Sequence, residues 1–203
     1  MGKAAELFDN FAYGMSRKEI LQSLHIDNMM AEGRNSSSLC APASVDFLGQ
    51  KWEELFFFDS EACLRQIILI RTSIDKDSWL TVQEDLIKKS WIPVAVDTED
   101  ATYDLFEHAQ PEGHKEEIEA LVDFENEALQ KGRGITVYFF PADFASKMLK
   151  NTKIKFWANA VDKAQENFCL LSMMADADKL KLSFTCPLLV RKAALKYGEK
   201  IKR

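Results

Sequence analysis

His108 and His114, with five residues between them, stand among Glu107, Glu112, Glu116 and Glu117. Imidazole and carboxylate are the ligand types of a divalent-metal centre, so His108, His114 and Glu112 form the candidate metal set of a metal-dependent or hydrolytic enzyme. The spacing is not the i, i+4 pairing of one helix face, and Pro111 with Gly113 sets the two imidazoles around a turn. A solvated acidic loop has the same composition and is the plainer reading. Cys40 precedes Pro42 in a polar loop and is the cysteine expected to be accessible for a Cys-His nucleophile; its alternative is a loop thiol without a role. His25 follows an amphipathic helix and can simply interact with that helix's C-terminus. Asp and Glu pairs are too abundant to single out an acid/base couple. Gly132 and Gly134 precede a strand rather than joining strand to helix, which is not the order of a phosphate loop, and no cofactor is expected.

The aromatic residues offer a different chemistry, that of recognition. In Trp52 to Phe58, alternation sends Trp52, Glu54, Phe56 and Phe58 to one face of a strand and Glu53, Leu55 and Phe57 to the other. Tyr138, Phe139, Phe140, Phe156 and Trp157 cluster again in the second half. Such rings are core residues by default. Left uncovered, Trp52, Phe56 and Phe58 would line a groove for a partner protein or a second copy of the chain, and they form the candidate binding set.

The elements that must position these groups are read from periodicity. Ser44 to Arg71 predicts three strands in a meander, with a first turn at Gly49-Gln50-Lys51 and a second at Asp59-Ser60-Glu61. Lys3 to Ala12 has helical spacing, and Ser16 with Glu19 forms a capping box that opens a helix to His25. Asn28 to Pro42 reads as a loop. A helix from Trp79 to about Lys89, capped by Ser78 or Asp77, precedes a strand at Ile92 to Val96, where Pro93 suggests a sheet edge. Thr98 to Ala109 and His114 to Lys131 read as helices. Ile135 to Phe140 reads as a strand followed by a helix capped at Asp143. Lys153 to Ala160, Phe168 to Met174 and Leu180 to Cys186 read as strands, and a final helix follows Pro187. The stretch Phe156 to Met174 also fits a helical stripe through Val161, Ala164, Phe168 and Leu171, and on that reading the second meander disappears. The fold class is α+β, with antiparallel meander sheets flanked by helices and a pattern that admits a tandem repeat of a helix-β-β-β-helix unit. The organisation expected is a first unit at 1–97, an acidic helical connector at 98–134 and a second unit at 135–203.

With 203 residues, 47% of them hydrophobic and 29% charged, the chain has the composition of a folded globular protein. No apolar run approaches a membrane span and the N-terminus has no signal-peptide core, so a cytoplasmic protein without membrane association is expected. Cys40, Cys63, Cys169 and Cys186 form no C-x-x-C pair and are expected as reduced thiols. The net charge of -6 is uneven. Asp97 to Glu127 holds twelve acids against Lys115, a balance of -11, while Leu188 to Arg203 holds six bases against Glu199, a balance of +5. These read as solvated helix faces, or as a basic helix that docks on an acidic surface. Among the basic residues of that tail only Tyr197 is aromatic, so nucleic-acid binding is not expected.

Gly14-Met15-Ser16-Arg17-Lys18-Glu19-Ile20, then a polar loop, then strands ending in Phe56-Phe57-Phe58-Asp59 and Leu64-Arg65-Gln66-Ile67, resembles the helix-helix-strand-strand-strand unit of the β-lactamase-inhibitor-protein-like superfamily. That superfamily includes small outer-membrane-assembly lipoproteins. The likeness covers about a third of the chain. Leu24-His25 stands where the family's helix closes with Leu-Gly, and 97–134 has no counterpart. The resemblance implies a binding module that uses its sheet face or loops, without catalysis. The expected function is therefore a non-enzymatic binding or assembly module for another protein or for itself as a homodimer, with the metal-dependent enzyme as the alternative.

Overall fold

A computed structural model of the chain describes residues 11–25, 37–59, 61–72, 75–108, 115–132, 134–165, 168–176 and 178–191. The protein is α+β, and its paired strands run antiparallel. It divides into two compact units: Met1–Ile70, Gln165–Leu170 and Ser183–Arg203 make the first, and Arg71–Ala164 with Leu171–Leu182 the second. No described helix is long and apolar enough to cross a membrane.

In the first unit the capping box forms as its residues dictate. Ser16 Oγ accepts from the Glu19 N–H, Glu19 accepts from the Ser16 N–H, and helix α1 runs Arg17–Ser23. Strands β1 (Ser38–Cys40) and β2 (Val45–Phe47) each pair with β3 (Gln50–Phe58), which pairs with β4 (Leu64–Thr72). The predicted meander is therefore present as β2-β3-β4. Its first turn is Leu48-Gly49, with both residues at positive φ (53° and 68°), the conformation a two-residue hairpin of this twist requires. Ser38 to Cys40, expected as loop, is a strand instead, because a short polar segment gains backbone hydrogen bonds by lying along β3. The predicted helix Lys3 to Ala12 and most of the loop from Asn28 lie outside the described residues.

The second unit holds helix α2 (Lys76–Lys88), strands β5 (Trp91–Thr98) and β6 (Thr102–Asp104), helices α3 (Leu105–His108) and α4 (Lys115–Gln130), strand β7 (Ile135–Pro141), and helices α5 (Ala142–Leu149) and α6 (Trp157–Val161). Strand β8 (Leu170–Asp176) completes the order β8-β7-β5-β6. Strand β9 (Lys179–Thr185) is shared, its first four residues belonging to the second unit and Ser183 to Thr185 to the first. There, Gln66 Nε2 donates to Ser183 Oγ and Thr185 Oγ1 at 2.8 and 3.1 Å.

The structure departs from the sequence-based expectations at several elements. The cap of α2 is Asp75, which accepts from the Ser78 N–H at 2.6 Å, rather than Ser78 or Asp77. Thr98 to Ala109 is not one helix but β6 followed by the single turn of α3. Pro93 does not mark an edge strand, since β5 lies between β7 and β6. Its missing N–H is tolerated because β6 reaches only Ala95 to Asp97 and the β7 pairing shifts register between Pro93 and Ala95. Lys153 to Ala160 is loop and helix rather than strand, because α6 is nucleated at its N-terminus by a carboxylate from a distant part of the chain. Among the described residues the second helix-β-β-β-helix copy does not form, and no tandem repeat is seen. β8 pairs with β7 across an insertion of two helices.

Candidate functional site

Alternation on three neighbouring strands of the second unit sets two kinds of surface. Val94, Val96, Val137, Phe139, Leu171 and Met173 are buried. The residues between them form the other face: half-buried Asp97 on β5 stands opposite half-buried Thr136 on β7 and exposed Thr102 on β6, while buried Ala95 stands opposite half-buried Tyr138 and buried Asp104. Tyr138 in turn faces Ser172 on β8. One sheet face thus collects two carboxylates, a phenol and three hydroxyls in adjacent register rows.

The Tyr138 ring stacks on Trp157 of α6, with centroids 4.2 Å apart and planes at 20°. Burial, then the charge of Asp97 and hydrogen bonding to it, push the Tyr138 pKa up to about 12, so the phenol stays protonated. Asp97 also accepts from Thr102 Oγ1 at 2.6 Å. Trp157 is held in place by Asp104. This carboxylate, 4% exposed, accepts from the Trp157 N–H and the Phe106 N–H, both at 2.9 Å, and so caps the starts of α6 and α3 together. Its pKa is raised by burial against the lowering effect of those two N–H donors. Phe156, the residue before α6, is 50% exposed, one of the two large hydrophobic side chains left in water among the described residues. The alternation of Thr136 and Tyr138 was legible in sequence; the arrival of Trp157 over that face was not, since the carboxylate that places it lies 53 residues upstream.

The residues singled out from sequence fall elsewhere. Trp52, Phe56 and Phe58 are 0%, 0% and 1% exposed and form the core of the first unit. Trp52 Nε1 donates to the Phe47 carbonyl at 2.9 Å, and the Phe56 ring meets Phe11 edge-on. Between them on the same face, Glu54 is 3% exposed and one carboxylate oxygen has no hydrogen-bond partner; burial raises its pKa to about 7. His108 is exposed and stacks on Tyr103 at 4.8 Å, while His114 and Glu112 lie outside the described residues. Among the described residues no three metal-binding side chains converge. None of the four cysteines is in a disulfide: Cys40 is exposed on β1, while Cys169 and Cys186 are buried. Burial pushes the Cys169 thiol up to about 12, with the Tyr13 hydroxyl 3.0 Å from its sulfur.

No family model matches this sequence, and no curated protein and no solved structure matches it either.

Proposed function

We propose that the protein is a non-enzymatic binding or assembly module and that the polar-aromatic sheet face of its second unit meets another protein. One observation carries the reading. A chain that buries most of its rings leaves Phe156 half in water beside a half-buried Trp157–Tyr138 stack on a sheet face lined with hydroxyls. Amphipathic aromatics flanked by exposed polar groups make the composition of a protein-recognition surface. The likeness of Gly14 to Ile67 to the inhibitor-protein unit, which binds through sheet face or loops, points the same way. Four cysteines outside disulfides are in keeping with action in the cytoplasm.

The test is light scattering combined with surface substitution. Wild-type protein is expected either to self-associate or to retain a defined protein partner, and Phe156→Ser with Tyr138→Ser is expected to abolish that association while leaving the circular dichroism unchanged. Association that survives both substitutions, or a strict monomer that retains no partner, would refute the reading.

A further inference from the structure

Resting on that reading, we infer that the face binds an arginine side chain of the partner, held between the Asp97 carboxylate and the Tyr138–Trp157 stack. Three observations converge on this ligand chemistry. Asp97 is met by a neutral donor, the Thr102 hydroxyl at 2.6 Å, and among the described residues no lysine or arginine pairs with it. Its charge therefore stays uncompensated in a half-buried setting, where an incoming cation gains more than it would in open water. The rings beside it are parallel, and a planar guanidinium can lie against such a stack while its N–H fork reaches a carboxylate. The surrounding sequence adds long-range attraction, because the segment from Asp97 to Glu127 has a balance of -11.

The geometry also favours arginine over lysine. A carboxylate with one hydroxyl donor in place has lone pairs left on both oxygens, which suits a forked donor. Asp104 does not serve as a second anchor, because it is only 4% exposed and its oxygens face the backbone N–H groups of Phe106 and Trp157. It is a positioning residue that keeps Trp157 over Tyr138. Phe156, exposed at the rim, offers an apolar contact to the residue next to the arginine.

The experiment is a titration of the isotope-labelled full chain, followed at the Trp157 indole N–H and assigned with Trp157→Phe. Acetyl-arginine amide, acetyl-lysine amide (free ε-amine) and acetyl-citrulline amide are the probes. A saturable shift with the arginine compound, a weaker one with lysine and none with citrulline is expected, and Asp97→Asn should weaken arginine binding about tenfold. Citrulline binding as well as arginine, no saturable shift with arginine, or an Asp97→Asn protein that binds unchanged would each overturn the inference. If Asp97→Asn fails to fold, the citrulline comparison on the wild-type chain decides alone. Failure here leaves the broader reading standing, because that one turns on whether Phe156→Ser and Tyr138→Ser abolish association.

Discussion

Glu54 shows how one side chain can set the pH response of a fold. It occupies a core position on β3 opposite Leu69, which is fully buried, and one of its oxygens has no partner. Its pKa rises from 4.5 to about 7, so the folded chain binds this proton more tightly than the unfolded chain does. Stability is then greatest below the unfolded carboxyl range, falls as the pH climbs through the interval from 4.5 to about 7, and is flat above it. The loss across that interval is about 2–3 kcal/mol. Glu54→Gln should remove this part, so the difference between urea midpoints at pH 5 and pH 8 should be smaller in the variant than in the wild type, what remains coming from the raised carboxyls of Asp104 and Glu125. A wild-type midpoint that does not fall between those values would show that the carboxylate finds a partner in solution. The thiols make a second residue-level case. Native protein should react fast at exposed Cys40 and leave Cys169 and Cys186 unreactive until it is denatured, because burial shuts the reagent out of both and raises the Cys169 thiol. Mass spectrometry after brief alkylation would locate the label, and early label on Cys169 would contradict this.

At the scale of elements, buried carboxylates join pieces that sequence places far apart. Glu125 on α4, 1% exposed, accepts from Trp79 Nε1 at 2.5 Å and from Gln83 Nε2 at 2.6 Å, both on α2. Burial nonetheless leaves its pKa raised, so the link rests on hydrogen bonds rather than on an opposite charge. Glu125→Leu would leave an indole N–H and an amide without acceptors in the interior and should cost about 3 kcal/mol, measured as a fall in the chemical-denaturation midpoint. Asp104→Ala should have a different signature. Two helix starts lose their acceptor, for a stability loss of about 1–2 kcal/mol, and Trp157 is freed from its stack, so its fluorescence should shift to the red. An unshifted spectrum with lowered stability would mean that packing alone holds Trp157. These two carboxylates also mark where sequence reading stopped. The Ser16 capping box, the β2-β3-β4 meander and the long helix α4 were legible because their signals are local: a cap three residues from its partner, an alternating strand, an apolar stripe. Strand β6 and helix α6 were not, since β6 is three residues long and α6 depends on Asp104. The candidate site shared that fate. Its sheet residues alternate visibly, yet its aromatic lid arrives from another segment, while the more conspicuous Trp52, Phe56 and Phe58 turned inward.

For the whole molecule, the path of the chain matters more than the count of elements. Neither unit is a continuous stretch of sequence. The first is assembled from three segments and the second from two, and the exchange occurs within β8 and β9, a single hairpin-sized stretch near the end of the chain. A protein made of beads on a string could be cut between its domains; this one cannot, because residues 165–185 supply strands to both units. The fragment 71–164 tests this directly. It retains α2 through α6 with strands β5, β6 and β7, but it lacks the 171–182 segment, and β7 would lose the pairing that runs from Ile135 with Ala175 to Phe139 with Leu171. Five backbone partners and the buried side chains of Leu171, Met173, Leu180 and Leu182 go with it, all within 1% of full burial. At about 1.5–3 kcal/mol for each of these four buried apolar side chains, the loss is about 6–12 kcal/mol, comparable with the whole ~5–15 kcal/mol by which domains are stable. The newly bared edge of β7, ITVYFFP, is apolar and β-rich, the kind of strand that pairs with copies of itself. Expressed alone, 71–164 should therefore aggregate or bind a hydrophobic dye, and adding the segment 165–185 back through a linker should restore a soluble fold. A monomeric 71–164 with dispersed amide resonances would show that the second unit closes without its last strands, and the exchange at β8 and β9 would then be decoration on an independent domain rather than the joint that makes the chain fold as one.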